Sequence, residues 1–247
     1  MLGHRPEPAV LSDQLSTTQW SQVIAARDGD ETESSQALES LCQTYWKPLY
    51  AFIRHQGAEP EDARDLTQAY FTELLEKDFL ADVDAEKGRF RSFLFSSLRH
   101  FLSHERDRAR ALKRGGGTMT LSLDLESGER SYSIHPATLD TPEDVFEYRW
   151  AMTVITQAMN RLEEESLTAG TGRQFEKLKP YLTSTSPQVP YEEVAAELEM
   201  SEGAVKVAVH RLRRRFGQSL RDELSETVAD PADVDDELRH MLSILAG

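Results

Sequence analysis

The chain has 247 residues, of which 28 are basic and 43 acidic, and a formal net charge of −15. Hydrophobic residues make up 39% of it, which is enough for a packed core and too many for a disordered protein. No apolar run approaches a membrane span, the N-terminus lacks an apolar signal segment, and the single cysteine, Cys42, excludes an internal disulfide and a multi-cysteine metal site. We therefore expect a soluble cytoplasmic protein of one or two domains.

Apolar residues recur at helical spacing along most of the chain, which predicts an all-α fold. The first helix covers the apolar positions 38–53, and Gly57 is placed to end it. A second helix begins at Pro60, where the ring fixes φ and two acidic residues follow. A third runs from about Gly88 to Arg110.

The rest of the chain suggests two helical domains joined by a flexible linker. Glycine and turn-forming residues fill 115–141, and helical periodicity resumes at Pro142 and continues to Leu224, with a polar interruption at 183–190. The acidic C-terminal tail carries the apolar spacing of a short helix at Leu238, Met241, Leu242 and Leu245. The predicted segments are a tail at 1–16, a domain at 17–114, the linker at 115–141, a domain at 142–225 and a tail at 226–247.

Basic residues are concentrated in two stretches of an otherwise acidic chain. Residues 86–114 contain 9 basic and 3 acidic side chains, and residues 206–221 contain 6 basic and no acidic ones. Each stretch therefore has a local net charge of +6. Phosphate binding depends on local rather than total charge, so the pattern indicates two separate contacts with a polyanion; two solvated helix faces would look the same.

The second basic stretch lies in a predicted helix-turn-helix, residues 190–216. A short helix, Tyr191 to Leu198, is followed by a turn at Glu199 and Met200, and Ser201 is placed to cap a longer helix. Glu199 stands where a left-handed residue, commonly glycine, ends such a helix. Ala195 is small where the helices cross, and the predicted buried stripe is Val205, Val209, Leu212 and Phe216. The side chains predicted to face a DNA major groove are Gly203, Lys206, Val207, His210 and Arg214, flanked by Arg211, Arg213 and Arg215.

Three motifs occur in a characteristic order: EPEDARDLTQAYF at 59–71, RFRSFLFSSLRHFLSHERDRARALKR at 89–114, and YEEVAAELEMSEGAVKVAVHRLRRRF at 191–216. Together they resemble the sigma-70 family of RNA polymerase sigma factors. The chain is similar to the short extracytoplasmic-function (ECF) type and looks like the branch common in planctomycetes. The resemblance covers about residues 17–114, as sigma region 2, and 142–225, as sigma region 4. It implies a factor that binds the clamp and flap regions of core RNA polymerase, recognises −10 and −35 promoter elements and promotes DNA melting.

The resemblance also implies roles for individual residues. The DLTQ motif matches the family's polymerase-binding helix, and the residues assigned to it are Asp65, Leu66, Gln68 and Thr72. In the third helix, Phe90, Leu94, Leu98 and Phe101 are predicted core. The residues assigned to strand capture and melting are Phe93, Phe95, Arg99, His100, Arg106, Arg110 and Lys113. Of these, Phe95, Arg99, Arg106, Arg110 and Lys113 form an outward stripe, and the alternative for Phe95 is that it is simply core. The residues assigned to the −35 element are Ser201, Gly203, Lys206, Val207, His210, Arg211 and Arg214.

Some positions depart from the family pattern. Val207 and Ala208 replace the usual polar and basic residues, so promoter preference does not transfer from the family. His100 and His104 are spaced for a metal, but no third ligand is near, and we expect no metal or other cofactor. No catalytic motif occurs, so we expect no enzyme. The alternative is a helix-turn-helix regulator with an N-terminal sensor domain, and the resemblance leaves open an anti-sigma factor or other regulator as a further partner.

Overall fold

The computed structural model describes residues 31–75, 90–111, 124–133, 139, 141–183, 189–228 and 230–246. Every regular element in these residues is helical, which confirms the all-α prediction. The helices are α1 (Glu31–His55), α2 (Pro60–Leu75), α3 (Phe90–Ala111), α4 (Leu125–Ser133), α5 (Pro142–Thr168), α6 (Gly172–Leu178), α7 (Pro180–Thr183), α8 (Tyr191–Glu197), α9 (Glu202–Ser225) and α10 (Val234–Ala246), with a 3-10 turn at Pro231–Asp233 before α10. None of these helices is long and apolar enough to cross a membrane.

The helix ends follow the local signals in the sequence. Gly57, two residues after α1, has a φ of 92°, a conformation that glycine adopts without steric cost. At the start of α5, the Thr141 hydroxyl accepts a hydrogen bond from the Asp144 backbone at 3.1 Å, and the Asp144 carboxylate accepts one from the Thr141 backbone at 3.2 Å. This capping box satisfies backbone donors that the first helical turn leaves unpaired.

Two apolar cores share the long helix α5. The larger core joins α1, α2, α3, the first five turns of α5, the end of α9 and α10. The smaller core joins the second half of α5 to α6, α7, α8 and the start of α9. The predicted core side chains of α3 are all buried in the larger one: Phe90, Leu94, Leu98 and Phe101. Buried residues from both predicted domains therefore pack together. The sequence did not indicate this packing, because helical periodicity shows which face is apolar but not which element covers it.

The segment predicted as a flexible linker contains α4, which packs against α1. A Cβ added to Gly128 would lie 3.1 Å from the Trp46 ring, so glycine allows the two helices to approach closely. The Glu129 carboxylate accepts hydrogen bonds from the Tyr50 hydroxyl at 2.5 Å and from Arg54 Nε at 2.8 Å. These tertiary contacts stabilise a helix in a segment whose glycine and turn-forming residues favour a linker.

The C-terminal tail contains the predicted short helix, α10, and this helix docks onto α5 and α9. Met241 is fully buried, whereas Leu242 is 52% exposed, so its place on the apolar face was wrongly predicted. Glu237 is the unexpected member of the buried face, since none of its surface is exposed. Its partner is Arg91 of α3, whose Nη1 lies 2.8 Å from the Glu237 Oε1.

Candidate nucleic-acid and polymerase interfaces

The helix-turn-helix has the geometry that its sequence predicts. Glu199 has a φ of 54°, which confirms the left-handed turn after α8. The Met200 N–H donates to the Ala195 carbonyl at 2.9 Å, and the Glu199 N–H donates to the Ala196 carbonyl at 3.3 Å. These two bonds form a Schellman motif, which ends α8 and turns the chain toward α9. The Ser201 hydroxyl then caps α9 by accepting a hydrogen bond from the Ala204 backbone at 3.2 Å.

One face of α9 is packed, and the opposite face is open. The predicted stripe Val205, Val209 and Leu212 is buried, Phe216 is partly buried beside it, and Ala195 lies in the same core. All the residues that the sequence assigned to DNA reading on this helix and its cap are exposed: Ser201, Gly203, Lys206, Val207, His210, Arg211 and Arg214. The pattern follows from helical spacing, because side chains three or four residues apart share a face.

Two contacts position the Lys206 side chain on the open face of α9. The Lys206 ammonium lies 2.6 Å from the Glu202 carboxylate and 5.6 Å from the centre of the Tyr191 ring. The hydrogen bond to Glu202 raises the pKa of Lys206, so this side chain keeps its positive charge. Val207, one position further along, is 50% exposed and presents an apolar group on the same face.

Two arginines that the sequence suggested for phosphates are used within the fold. Arg213 donates to the Tyr181 carbonyl from Nε at 3.1 Å and from Nη2 at 2.9 Å. Arg215 Nη2 lies 2.5 Å from the Glu165 carboxylate. In the described part of the chain, by contrast, neither Arg211 nor Arg214 has a carboxylate partner, so these two guanidinium groups are the ones available to a polyanion.

One face of α3 packs against side chains of α1 and α5, although its basic residues Arg99 and Arg106 stay exposed. The Phe95 ring packs edge-on against Phe52 at a centroid distance of 5.1 Å and tilted against Phe146 at 5.4 Å. The Arg99 guanidinium lies 5.8 Å from the centre of the Phe95 ring and 3.7 Å from the Glu143 carboxylate. The prediction that Phe95 shares an outward stripe was therefore wrong: its ring is half-buried in the larger core, because α5 supplies an aromatic partner that periodicity within α3 does not show.

Arg91, one turn before Phe95, is a buried and ion-paired residue that the sequence did not indicate. It is 2% exposed, forms ion pairs with Glu237 at 2.8 Å and Glu147 at 3.4 Å, and lies 4.2 Å from the centre of the Trp150 ring. Its carboxylate partners lie far away in the sequence, on α5 and α10. Its spacing gave no burial signal, because Arg91 stands four residues before Phe95, which the sequence placed on an outward stripe.

The remaining residues assigned to α3 fall into three groups. Phe93 is partly buried and stacks on Phe90 at a centroid distance of 6.0 Å. His100 and Arg106 are exposed, and Arg106 donates a hydrogen bond to the Gln56 side chain. The Arg110 side chain and Lys113 lie outside the described residues. The described residues contain no group of three or more side chains that could hold a metal ion.

The face of α2 predicted to bind polymerase has one strongly exposed member. Asp65 projects from the helix and pairs with its neighbour Arg64 at 3.2 Å. Gln68 and Thr72 are half-buried, and the Thr72 hydroxyl donates to the Gln68 carbonyl at 3.0 Å. Leu66 packs partly against the larger core. The arrangement gives a polar surface around a carboxylate on a helix whose opposite face is fixed by buried Ala63, Tyr70 and Leu74.

A helix-turn-helix with an open basic face, packed against a helical bundle, is typical of helical DNA-binding proteins. Comparison with protein families identifies the family: the model described as ECF sigma factor matches residues 16–222, and the chain belongs to this family. No curated protein and no solved structure gives a significant match. Members of the family are non-catalytic factors of transcription initiation, and their partners are RNA polymerase and promoter DNA.

Proposed function

We propose that this sigma factor directs core RNA polymerase to promoters by reading a −35 duplex with α9 and by holding the melted −10 strand on α3. The family match supports the role in initiation. The observation that carries the duplex-reading part is the open basic face of α9, where Lys206, Arg211 and Arg214 stand beside Val207. Charged groups of this kind bind phosphates, and an exposed apolar group can contact a thymine methyl.

The −10 function is assigned to α3 and to the segment 17–114, and the −35 function to 142–225. Arg99 and Arg106 supply positive charge for a DNA backbone. The rings of Phe95 and Phe93 are half-buried, so a base can stack on them only once they are uncovered. His100 lies exposed between the two arginines. Replacing Arg99 and Arg106 should therefore impair promoter melting more than binding of closed duplex.

Polymerase binding is assigned to Asp65, Leu66, Gln68 and Thr72 on α2. The exposed carboxylate of Asp65 and the adjacent Gln68 amide offer acceptors and donors to a partner surface without contributing to a buried core. Their replacement should therefore weaken association while leaving the fold intact. The partner surfaces we assign on core polymerase are its clamp and flap regions, and the family's site of action is in the cytoplasm.

The test is transcription from fragmented genomic DNA by core polymerase with the purified chain, followed by sequencing of the RNA ends. We expect discrete start sites with the wild-type chain and loss of these starts with Asp65→Ala/Gln68→Ala. A matched control is Glu176→Ala, which removes an exposed carboxylate from α6, far from α2 in the sequence. Starts that appear only when a resident sigma factor is added would contradict the proposal and favour the helix-turn-helix regulator.

A pull-down of core polymerase tests polymerase binding separately from transcription initiation. Asp65→Ala/Gln68→Ala should lower the amount of polymerase retained, whereas its circular dichroism spectrum should match that of the wild type. Unchanged retention would contradict the assignment of α2 as the polymerase-binding helix.

A further inference from the structure

One face of α3 meets α5 through three side chains, Arg91, Phe95 and Arg99, each one turn from the next. Arg91 is buried, Phe95 is half-buried, and Arg99 is exposed but paired. They meet α5 in antiparallel order: Arg91 pairs with Glu147, Phe95 contacts Phe146, and Arg99 pairs with Glu143. Each position thus has a partner whose chemistry matches its own, a carboxylate for each guanidinium and a ring for the ring. Single-stranded DNA offers the same two groups, phosphates and flat bases.

A second element fastens this contact from outside α5. The Glu237 carboxylate of α10 lies 2.8 Å from Arg91, and both side chains are almost completely buried. His240 of the same helix lies 3.3 Å from the Glu147 carboxylate. A buried guanidinium requires carboxylate partners. Removal of α10 would take away Glu237 and leave Arg91 with Glu147 as its carboxylate partner. The C-terminal helix therefore stabilises the position of α5 against α3.

We infer that the acidic and aromatic start of α5, fastened by α10, competes with single-stranded DNA for the α3 face and keeps the free protein in a closed, weakly binding state. This inference rests on the proposed capture of DNA by α3. If the protein exchanges between a closed and an open state, its apparent affinity for DNA is reduced in proportion to the fraction of molecules that are open. The recognition face of α9 lies outside this contact and stays available in the closed state.

The test measures binding of a fluorescein-labelled oligothymidine strand to the full-length chain by anisotropy. Glu143→Gln removes the partner of Arg99 without creating a cavity, and we expect affinity to rise about two- to fivefold, the size that one exposed ion pair supports. Glu237→Gln loosens the buried contact, and we expect a larger rise.

The matched control is Glu163→Gln, which makes the same change of charge on the same helix. Glu163 pairs with Lys179 at 3.3 Å, and its side chain is 39% exposed against 43% for Glu143. Any gain that comes only from a less negative chain should appear equally in this control. Affinity of Glu143→Gln and Glu237→Gln no higher than that of Glu163→Gln would overturn the inference.

Two further measurements keep folding and function apart. Hydrogen exchange of the amides in 142–150 should speed up in Glu237→Gln without loss of the global unfolding transition; unchanged exchange would contradict the fastening role of α10. Arg99→Ala in the Glu143→Gln background should lower the affinity for oligothymidine. If the affinity for oligothymidine rises with Glu143→Gln but does not depend on Arg99, the proposed strand-capture function of α3 fails. If the affinity depends on Arg99 but does not rise with Glu143→Gln, only the inferred competition between α5 and DNA is overturned.

Discussion

The two basic helices, α3 and α9, start from sequence stretches with the same local net charge of +6 and end in different surroundings. On α3, Arg91 is buried between two carboxylates, and Arg99 is paired with a third. On α9, the face with Arg211 and Arg214 is exposed. Density of positive charge therefore locates a helix that can bind a polyanion, but not whether the fold leaves its face open.

The difference has a physical origin in what packs beside each helix. Helix α9 buries an apolar stripe against α8 and α6, and in the described residues no carboxylate of those two helices pairs with Arg211 or Arg214. Helix α3 lies beside the start of α5, which carries Glu143 and Glu147 in its first turns. A guanidinium that loses water in such a contact must gain carboxylates, and the acidic turns supply them.

The largest expected effect is on stability, from Arg91→Leu. Removal of this guanidinium leaves the buried Glu237 carboxylate without its cation, so we expect unfolding free energy to fall by about 3–5 kcal/mol. The matched change on the open helix, Arg214→Leu, should stay within about 0.5 kcal/mol of the wild type. Urea unfolding of the full-length chain measures both. Equal effects of the two variants would remove the contrast between α3 and α9.

The second prediction concerns the open helix. Lys206→Ala with Arg214→Ala should weaken binding of duplex promoter DNA and lower the salt slope of log affinity by about one for each lost phosphate contact. The same pair of changes on α3, Arg99→Ala with Arg106→Ala, should leave the duplex salt slope close to that of the wild type. Titration of a duplex fragment at several salt concentrations gives the slopes. A larger decrease of the salt slope in the α3 variant than in the α9 variant would mean that duplex binding is wrongly assigned to α9.

The third prediction tests the turn that orients α9. Glu199 has a left-handed backbone, in which a Cβ costs about 1–2 kcal/mol relative to glycine. Glu199→Gly should therefore stabilise the protein by up to about 1 kcal/mol, after the greater freedom of glycine in the unfolded chain is subtracted. The control Glu192→Gly lies in α8 with helical geometry and should destabilise by about 0.5–1 kcal/mol. Thermal unfolding gives the signs, and a lower midpoint for Glu199→Gly would count against the strained turn.

The smallest effect is expected at Glu129 of α4, on the bundle that carries α3. The hydrogen bond from Arg54 holds the pKa of Glu129 below its usual range. The Glu129 carboxylate therefore stabilises the fold fully above its unfolded-state pKa of about 4.3, and this stabilisation is lost as the pH falls through its lower pKa in the folded protein. The stability difference between wild type and Glu129→Gln should accordingly shrink below about pH 4. Urea unfolding at neutral and acidic pH checks this; a difference that stays constant would contradict the role of the carboxylate charge.

Local features of the molecule could be predicted from the sequence because their causes lie within one or two helical turns. The buried stripe of α9, the cap at Ser201 and the left-handed residue at Glu199 each depend on neighbours a few residues away. The same holds for the core face of α3 and for Gly57 at the end of α1. The resemblance to sigma factors, drawn from three short motifs, agrees with the family match over residues 16–222.

The sequence by itself determined most of the helices, most of their apolar faces and the resemblance to the family, but not α4. Only the tertiary structure decided which polar faces stay open, because that choice depends on partners distant along the chain. Glu237 and Glu147 bury Arg91, Phe146 covers Phe95, and contacts with α1 stabilise α4 in a segment whose composition favours a linker. Periodicity specifies the direction in which a side chain points from its own helix, and packing specifies what it meets there.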